Sequence, residues 1–271
     1  MQVYRELRIL TARPGPEEEA RAPHALYGCV SAHDNYSAGR FAVDAAQAIA
    51  DAQRAGRRPI VVGGTGLYFK ALLEGLSPMP SVAEEVRARW RAEAADAAPG
   101  ALHRMLLERD PEMGKRLAPG DTQRIVRALE VLEHTGQSLR VWQQLPREPV
   151  LVESETVRIV MVPDRDELYR RIDRRFAAMM KAGGLEEAQQ LRDRSLDPTL
   201  PVTGTLGLRP LWRHLAGEID LEEAIASGQT ETRQYAKRQL TWLRRNMITW
   251  KGMIEKEVES QLALAITFID Q

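Results

Sequence analysis

The sequence predicts an α/β protein, a parallel-sheet core interrupted by a mainly helical insertion. Three short, apolar, partly β-branched runs, "LYGCV" at 26–30, "PIVV" at 59–62 and "VRIVMV" at 157–162, read as buried parallel strands with helical patterns between them. From Pro78 the texture changes to a stretch rich in Ala, Glu and Arg without a strand signal. Beyond residue 162 nearly everything is helical again. Strands alternating with helices pack as layers. The expected organisation is therefore residues 1–76 as the first part of the core, 77–154 as the insertion, and 155–271 as the second part with a basic C-terminal helix.

The elements follow in order. Residues 40–55 repeat Phe41, Ala45 and Ile49 every four positions and stop at Gly56, as an amphipathic helix does. Ser37, in "YSAG", is its candidate cap. Residues 122–134 place Ile125, Leu129 and Leu132 on one stripe, with Asp121 or Thr122 as cap and Gly136 beyond the end. Residues 138–144 form a further short helix. In 231–251, Ala236, Leu240, Leu243 and Met247 share one helical face.

The bulk numbers exclude several classes. The 38 basic and 38 acidic residues among 271 cancel, which leaves room for a local basic face but not for a uniform polyelectrolyte. The single cysteine, Cys29, forms no internal disulfide; it reads as a buried small hydrophobe in a reducing, cytoplasmic setting. No apolar run approaches the roughly 18 to 20 residues of a membrane helix, and "LALAITFID" near the end is far too short. The five histidines are scattered without metal-ligand spacing.

Three stretches carry possible chemistry. In "RRPIVVGGTGLYFK" the glycines lack the length and the lysine of a Gly-x-x-x-x-Gly-Lys phosphate loop. Either Thr65 caps the next helix, or the loop lets a substrate approach the backbone at the carboxyl end of a strand. In "DTQRIVRAL", Gln123, Arg124 and Arg127 crowd a helix start. Either this is an ordinary solvated helix start, or, since arginines there oppose the helix dipole, a phosphate or base lies nearby. In 231–251, six cations (Arg233, Lys237, Arg238, Arg244, Arg245, Lys251) stand against Glu231, a net of +5. Such a strip suits nucleic-acid phosphates, with Trp242 either stacking on an unpaired base or filling the core.

These pieces, in this order, resemble the bacterial tRNA dimethylallyltransferase family across essentially the whole chain. The resemblance rests above all on "VGGTGLYFKALLEGLS" and "AKRQLTWLR", with Gln2-Val3-Tyr4-Arg5, Tyr36-Ser37-Ala38-Gly39, Gln123-Arg124 and Thr232-Arg233-Gln234. It implies a P-loop-NTPase-like α/β core with a helical insertion, dimethylallyl diphosphate as donor, Mg2+, and the tRNA anticodon stem-loop as partner. It implies a cytoplasmic, monomeric enzyme without membrane contact. By position, Thr65 matches the loop threonine at the target nucleotide. Arg87 and the run Gln123, Arg124, Ile125, Val126, Arg127 match the tRNA-contacting insertion. Gly207, Arg209, Lys237, Arg238, Gln239, Trp242 and Arg244 match further tRNA contacts, and Met1 and Gln2 match the end of an Asp-Ser-x-Gln motif.

The resemblance also has gaps. The family's phosphate loop, its first strand and its general-base aspartate belong upstream of Gln2. Gly204 stands where an arginine usually meets the diphosphate, and Leu208 where a tyrosine is usual. The expectation is a chain inactive alone, with unpaired strand edges; it is either a divergent enzyme whose true start lies further upstream or, alternatively, a catalytically dead tRNA-binding remnant.

Overall fold

The computed structural model describes residues 1–253; the apolar run at 262–270 lies outside the described residues. In chain order the elements are α1 (Pro16–Glu19), α2 (Ala38–Arg54), α3 (Gly66–Leu73), α4 (Glu84–Asp96), α5 (Ala101–Arg109), α6 (Pro111–Gly114), α7 (Thr122–Thr135), α8 (Leu139–Gln143), β1 (Ile159–Met161), α9 (Arg165–Lys181), α10 (Gly184–Arg192), α11 (Leu208–Leu215), α12 (Leu221–Asn246) and β2 (Lys251–Met253). They build two compact units. One joins Met1–Leu73 to the chain from Leu151 onward; the other is Glu74–Val150.

Local chemistry sets the helix ends. The Ser37 hydroxyl accepts the Arg40 amide at 3.1 Å and starts α2, which turns Ala45 and Ile49 inward. Asp121 accepts the Arg124 amide at 3.4 Å and starts α7, which ends at Gly136 in the left-handed region. The Asp220 carboxylate accepts the Glu223 amide at 2.8 Å and opens α12, 26 residues long. Each cap satisfies an amide that has no partner within the helix.

The sheet is small. β1 runs parallel to β2, with Ile159 opposite Lys251 and Val160 opposite Gly252. The run at 157–162 therefore does contain a strand. The run at 26–30 gives only a parallel bridge between Val30 and Tyr4, flanked by Gly28 N–H to the Gln2 carbonyl and Val30 N–H to the Val3 carbonyl, both 2.9 Å. Leu26 at φ 66° and Gly28 at φ 58° bend the chain out of the extended form just before it. Cys29, expected inside, is exposed, because pairing through Val30 points that neighbour inward and Cys29 out.

The expected strand at 59–62 does not form. A strand exists only through its ladder, and among the described residues 59–63 make no hydrogen bond. Ile60 and Val62 are consequently 73% and 76% exposed. They border a cavity of about 1790 Å3.

The core of the first unit gathers Tyr4, Leu7, Leu191, Val202, Leu208 and Leu211, all essentially inaccessible. Its least expected member is charged. The Glu187 carboxylate, on α10, accepts three successive amides, Arg8 at 2.7 Å, Ile9 at 2.9 Å and Leu10 at 2.8 Å. A buried charge is tolerated when its oxygens are filled in this way, and here it ties the N-terminal loop to α10. Phe176 of α9 settles on two bare backbones, Gly207 and Gly228. The second unit has its own core, with Trp90, Leu106, Ile125, Leu129 and Val131 buried where α4, α5 and α7 meet.

A methyl at Gly228 would fall 2.2 Å from the Phe176 ring. Gly228→Ala is expected to destabilise by about 1–3 kcal/mol in urea unfolding. Gly204→Ala, where a methyl meets nothing within 4 Å, should leave the midpoint almost unmoved.

Candidate active site

The site is built on α12. Its inner face buries Ala236, while Leu240 and Leu243 line the large cavity. Its outer face exposes Lys237, Arg238, Arg244 and Arg245. A groove of about 740 Å3 runs along that face between Gln234, Lys237, Thr241, Trp242 and Arg245. Not every cation is available: Arg233 pairs with Asp173 and donates to the Thr230 hydroxyl at 2.8 Å. The guanidinium of Arg238 sits 5.7 Å from the Tyr235 ring centre.

The glycine loop lies against this helix. Gln239 Nε2 donates to the Gly64 carbonyl at 2.9 Å. The Trp242 indole occupies the place a side chain on Gly66 would need, 2.4 Å from an added methyl. Neither glycine has a positive φ, so close approach, not backbone freedom, requires them here. The Thr65 backbone carbonyl accepts the Tyr68 amide at 2.9 Å and the Phe69 amide at 3.3 Å, which starts α3. Its hydroxyl is not the cap. Thr65 is exposed, lines the cavity, and among the described residues nothing hydrogen-bonds its Oγ1.

The cavity has two characters. Ile49, Leu72, Ile159, Phe176 and Leu240 form apolar wall. Arg57, Arg58, Arg158, Arg175 and Arg238 also line it, against Glu155 among the described residues. Met1 and Gln2 reach the same lining, where Gln2 Nε2 donates to the carbonyls of Thr11 (3.1 Å) and Ala12 (2.9 Å). Gly204 lines it too, exposed and facing open space.

Other expected contacts land differently. Gly207 is buried, at φ 78° under Phe176, and its amide donates to Glu231 at 2.9 Å; it is a turn, with no surface to offer RNA. Arg209 is exposed, whereas Leu208 beside it is fully buried. In the second unit, Gln123 and Arg124 are exposed, and Arg124 pairs with Asp121 at 3.1 Å. Arg127 is held by Glu130 at 3.2 Å and the Pro80 carbonyl at 3.4 Å. Arg87 lies 3.9 Å from Glu84, and Val126 is half-buried. Ile125 is 1% exposed, a core residue and not a contact, because the α7 stripe turns it inward.

Sequence reasoning missed an aromatic cluster beside the loop. Phe41 and Tyr68 stack with centroids 3.9 Å apart, and the Tyr36 hydroxyl donates to Asp44 at 2.8 Å. Burial pushes the Tyr36 phenol well above its ordinary range, and the Asp44 hydrogen bond adds to the shift. Burial raises Tyr4 and Tyr68 as well. Tyr68, three residues beyond Thr65, was the available signal.

Comparison with known proteins gives this geometry a family. The family model described as "IPP transferase" matches residues 2–246. The chain belongs to the IPP transferase family. The tRNA dimethylallyltransferase of Parvibaculum lavamentivorans is 54% identical over 270 residues, spanning 100% of this chain and 85% of that protein. The Rhodopseudomonas palustris enzyme of the same name is 50% identical over 98% of this chain and 83% of its own. The crystal structure of the full-length tRNA isopentenylpyrophosphate transferase from Bacillus halodurans superposes with a TM-score of 0.68 at 31% identity, covering 99% of this chain and 84% of that one. A eukaryotic dimethylallyltransferase captured acting on tRNA gives 0.71 at 27% identity, covering 90% of this chain and 61% of that one. The expected P-loop-like fold class thus holds for this IPP transferase, as a helix-rich protein with a small parallel sheet among the described residues.

The tyrosine cluster makes stability depend on alkali. A raised folded-state pKa means that the unfolded chain ionises first, near pH 10. Stability is therefore complete below about pH 10 and lost as pH rises beyond it. Urea unfolding from pH 7 to 11 should show this fall, and Tyr36→Phe should flatten it.

Proposed function

We propose that this IPP transferase modifies tRNA, as a cytoplasmic monomer, by moving a dimethylallyl group from dimethylallyl diphosphate to N6 of the adenosine beside the anticodon, in tRNAs that read codons starting with U. The observation that carries the reading is the Thr65 hydroxyl, unpartnered among the described residues and lining a cavity of mixed apolar and cationic character on a loop seated against the basic helix.

The reaction forms a bond from N6 to the allylic carbon as the carbon–oxygen bond to diphosphate breaks, and the N6 proton passes to a base. The arginines of the cavity favour the leaving diphosphate, since fixed cations stabilise charge as it develops. The apolar wall suits the prenyl chain. On the first unit Lys237, Arg238, Arg244 and Arg209 meet RNA phosphates; on the second, considered by itself, Gln123 and Arg124 are exposed for the same purpose. The target adenine must leave the loop stack to reach Thr65, whose hydroxyl then has a base edge to bond. Among the described residues no three His, Cys, Asp or Glu side chains gather to hold a metal ion. The implied Mg2+ needs no such cage, since it is commonly held by one or two protein oxygens together with the substrate's phosphates and water. Among them, too, no helix is long and apolar enough to cross a membrane.

A second reading is RNA binding without transfer. Gly204 favours it, leaving open space in the cavity where a cation would meet diphosphate. Labelled donor mixed with an anticodon stem-loop separates the two. Label on N6 supports transfer; tight binding without label, with label gained in Gly204→Arg, supports the second. Both readings predict salt-sensitive hairpin binding, with Lys237→Ala and Arg244→Ala each weakening it and cutting the logarithmic salt slope by about 1. Salt-insensitive binding, or equal affinity for free AMP, would overturn both.

A further inference from the structure

We propose that Gln239 and Trp242 are positioning residues that lock the glycine loop to α12, so that RNA on the outer face of the helix and the Thr65 hydroxyl on the loop share one frame. The inference rests on the functional reading above and deepens it.

The Arg57 amide bonds back to the Ala52 carbonyl, and residues 59–63 then make no hydrogen bond among the described residues. The Gly64 carbonyl is the next backbone anchor among the described residues, held by Gln239 from 175 positions further along the chain. The anchor after it is Gly66, covered by the Trp242 indole. Thr65 lies between these two points. Gln239 and Trp242 are three apart on α12, hence on one face of it. A methyl on Gly64 would come within 2.3 Å of Gln239 Nε2, and one on Gly66 within 2.4 Å of the indole. The fit is closed at both ends.

The same helix turns carry Lys237, Arg238 and Arg245 outward. The indole also borders the outer groove, so its loop-side surface is occupied while another part faces the groove. Trp242 is thus a spacer between groove and loop, not a freely standing platform for a base. Any RNA-driven shift of α12 must move Thr65 with it.

Amide hydrogen exchange at Tyr68 and Phe69, whose amides donate to the Thr65 carbonyl, and across residues 60–67 tests this, with and without the hairpin. Without RNA, Gly66→Ala and Trp242→Leu should each speed exchange at 68–69 about tenfold, because local opening sets the rate. In the double variant the smaller Leu makes room for the methyl, so exchange should be no faster than in the worse single variant, the signature of coupled sites. With RNA, the wild type should gain protection in 60–67, and Gln239→Ala should lose that gain at saturating hairpin. Single variants within about twofold of wild type, or effects that multiply in the double, would overturn the lock. Hairpin bound by the wild type without protecting 60–67 would overturn the shared frame. Hairpin not bound at all would defeat the functional reading and the shared frame with it, while the RNA-free cycle still decides the lock.

Discussion

A single helix that must satisfy two environments governs this molecule. α12 buries Ala236 against the core and presents Lys237, Arg238, Arg244 and Arg245 to solvent. Charged heads cost too much to bury unpaired, and apolar rows cost water contact to expose, so the roll of the helix about its axis is fixed by its own pattern. Once that roll is set, Gln239 and Trp242 fall at the glycine loop. The position of Thr65 is a consequence of how α12 packs.

Around that helix, backbone groups that find partners are ordered into structure, and those that do not remain open. The three amides at 8–10 find the Glu187 carboxylate, and the loop they belong to is buried at Leu10. The residues at 59–63 find no hydrogen-bond partner among the described residues, and their β-branched side chains face water beside a large cavity. Composition makes both stretches candidates for order, yet hydrogen bonding decides between them. The apolar and cationic lining that results is chemically suited to a molecule with a greasy chain and a polyanionic end.

Much of this was legible. Helix caps at Ser37 and Asp121 and the stop at Gly136 are local chemistry, and local chemistry can be read in order. The two-faced pattern of 231–251 was readable for the same reason, although the helix stops at Asn246 and Lys251 pairs in β2. Long-range pairing was not. Whether 59–62 is a strand depends on a partner elsewhere, and Ile125, inside an expected contact run, turns inward because of its stripe. Glu187 gave no signal at all, since its partners lie almost 180 residues away. Trp242 could be placed on the helix but not assigned to base or loop until Gly66 was seen beneath it.

The proposed reaction needs an everted adenine meeting Thr65 while α12 holds the phosphates. Fluorescence of 2-aminopurine, placed at the adenosine beside the anticodon of a synthetic hairpin, reads this directly. It should brighten on binding as the base leaves its stack, and a probe one position further into the stem should stay dim. Equal quenching at both positions at saturating protein would mean that the RNA is held without eversion, and the proposed role of Thr65 would be wrong.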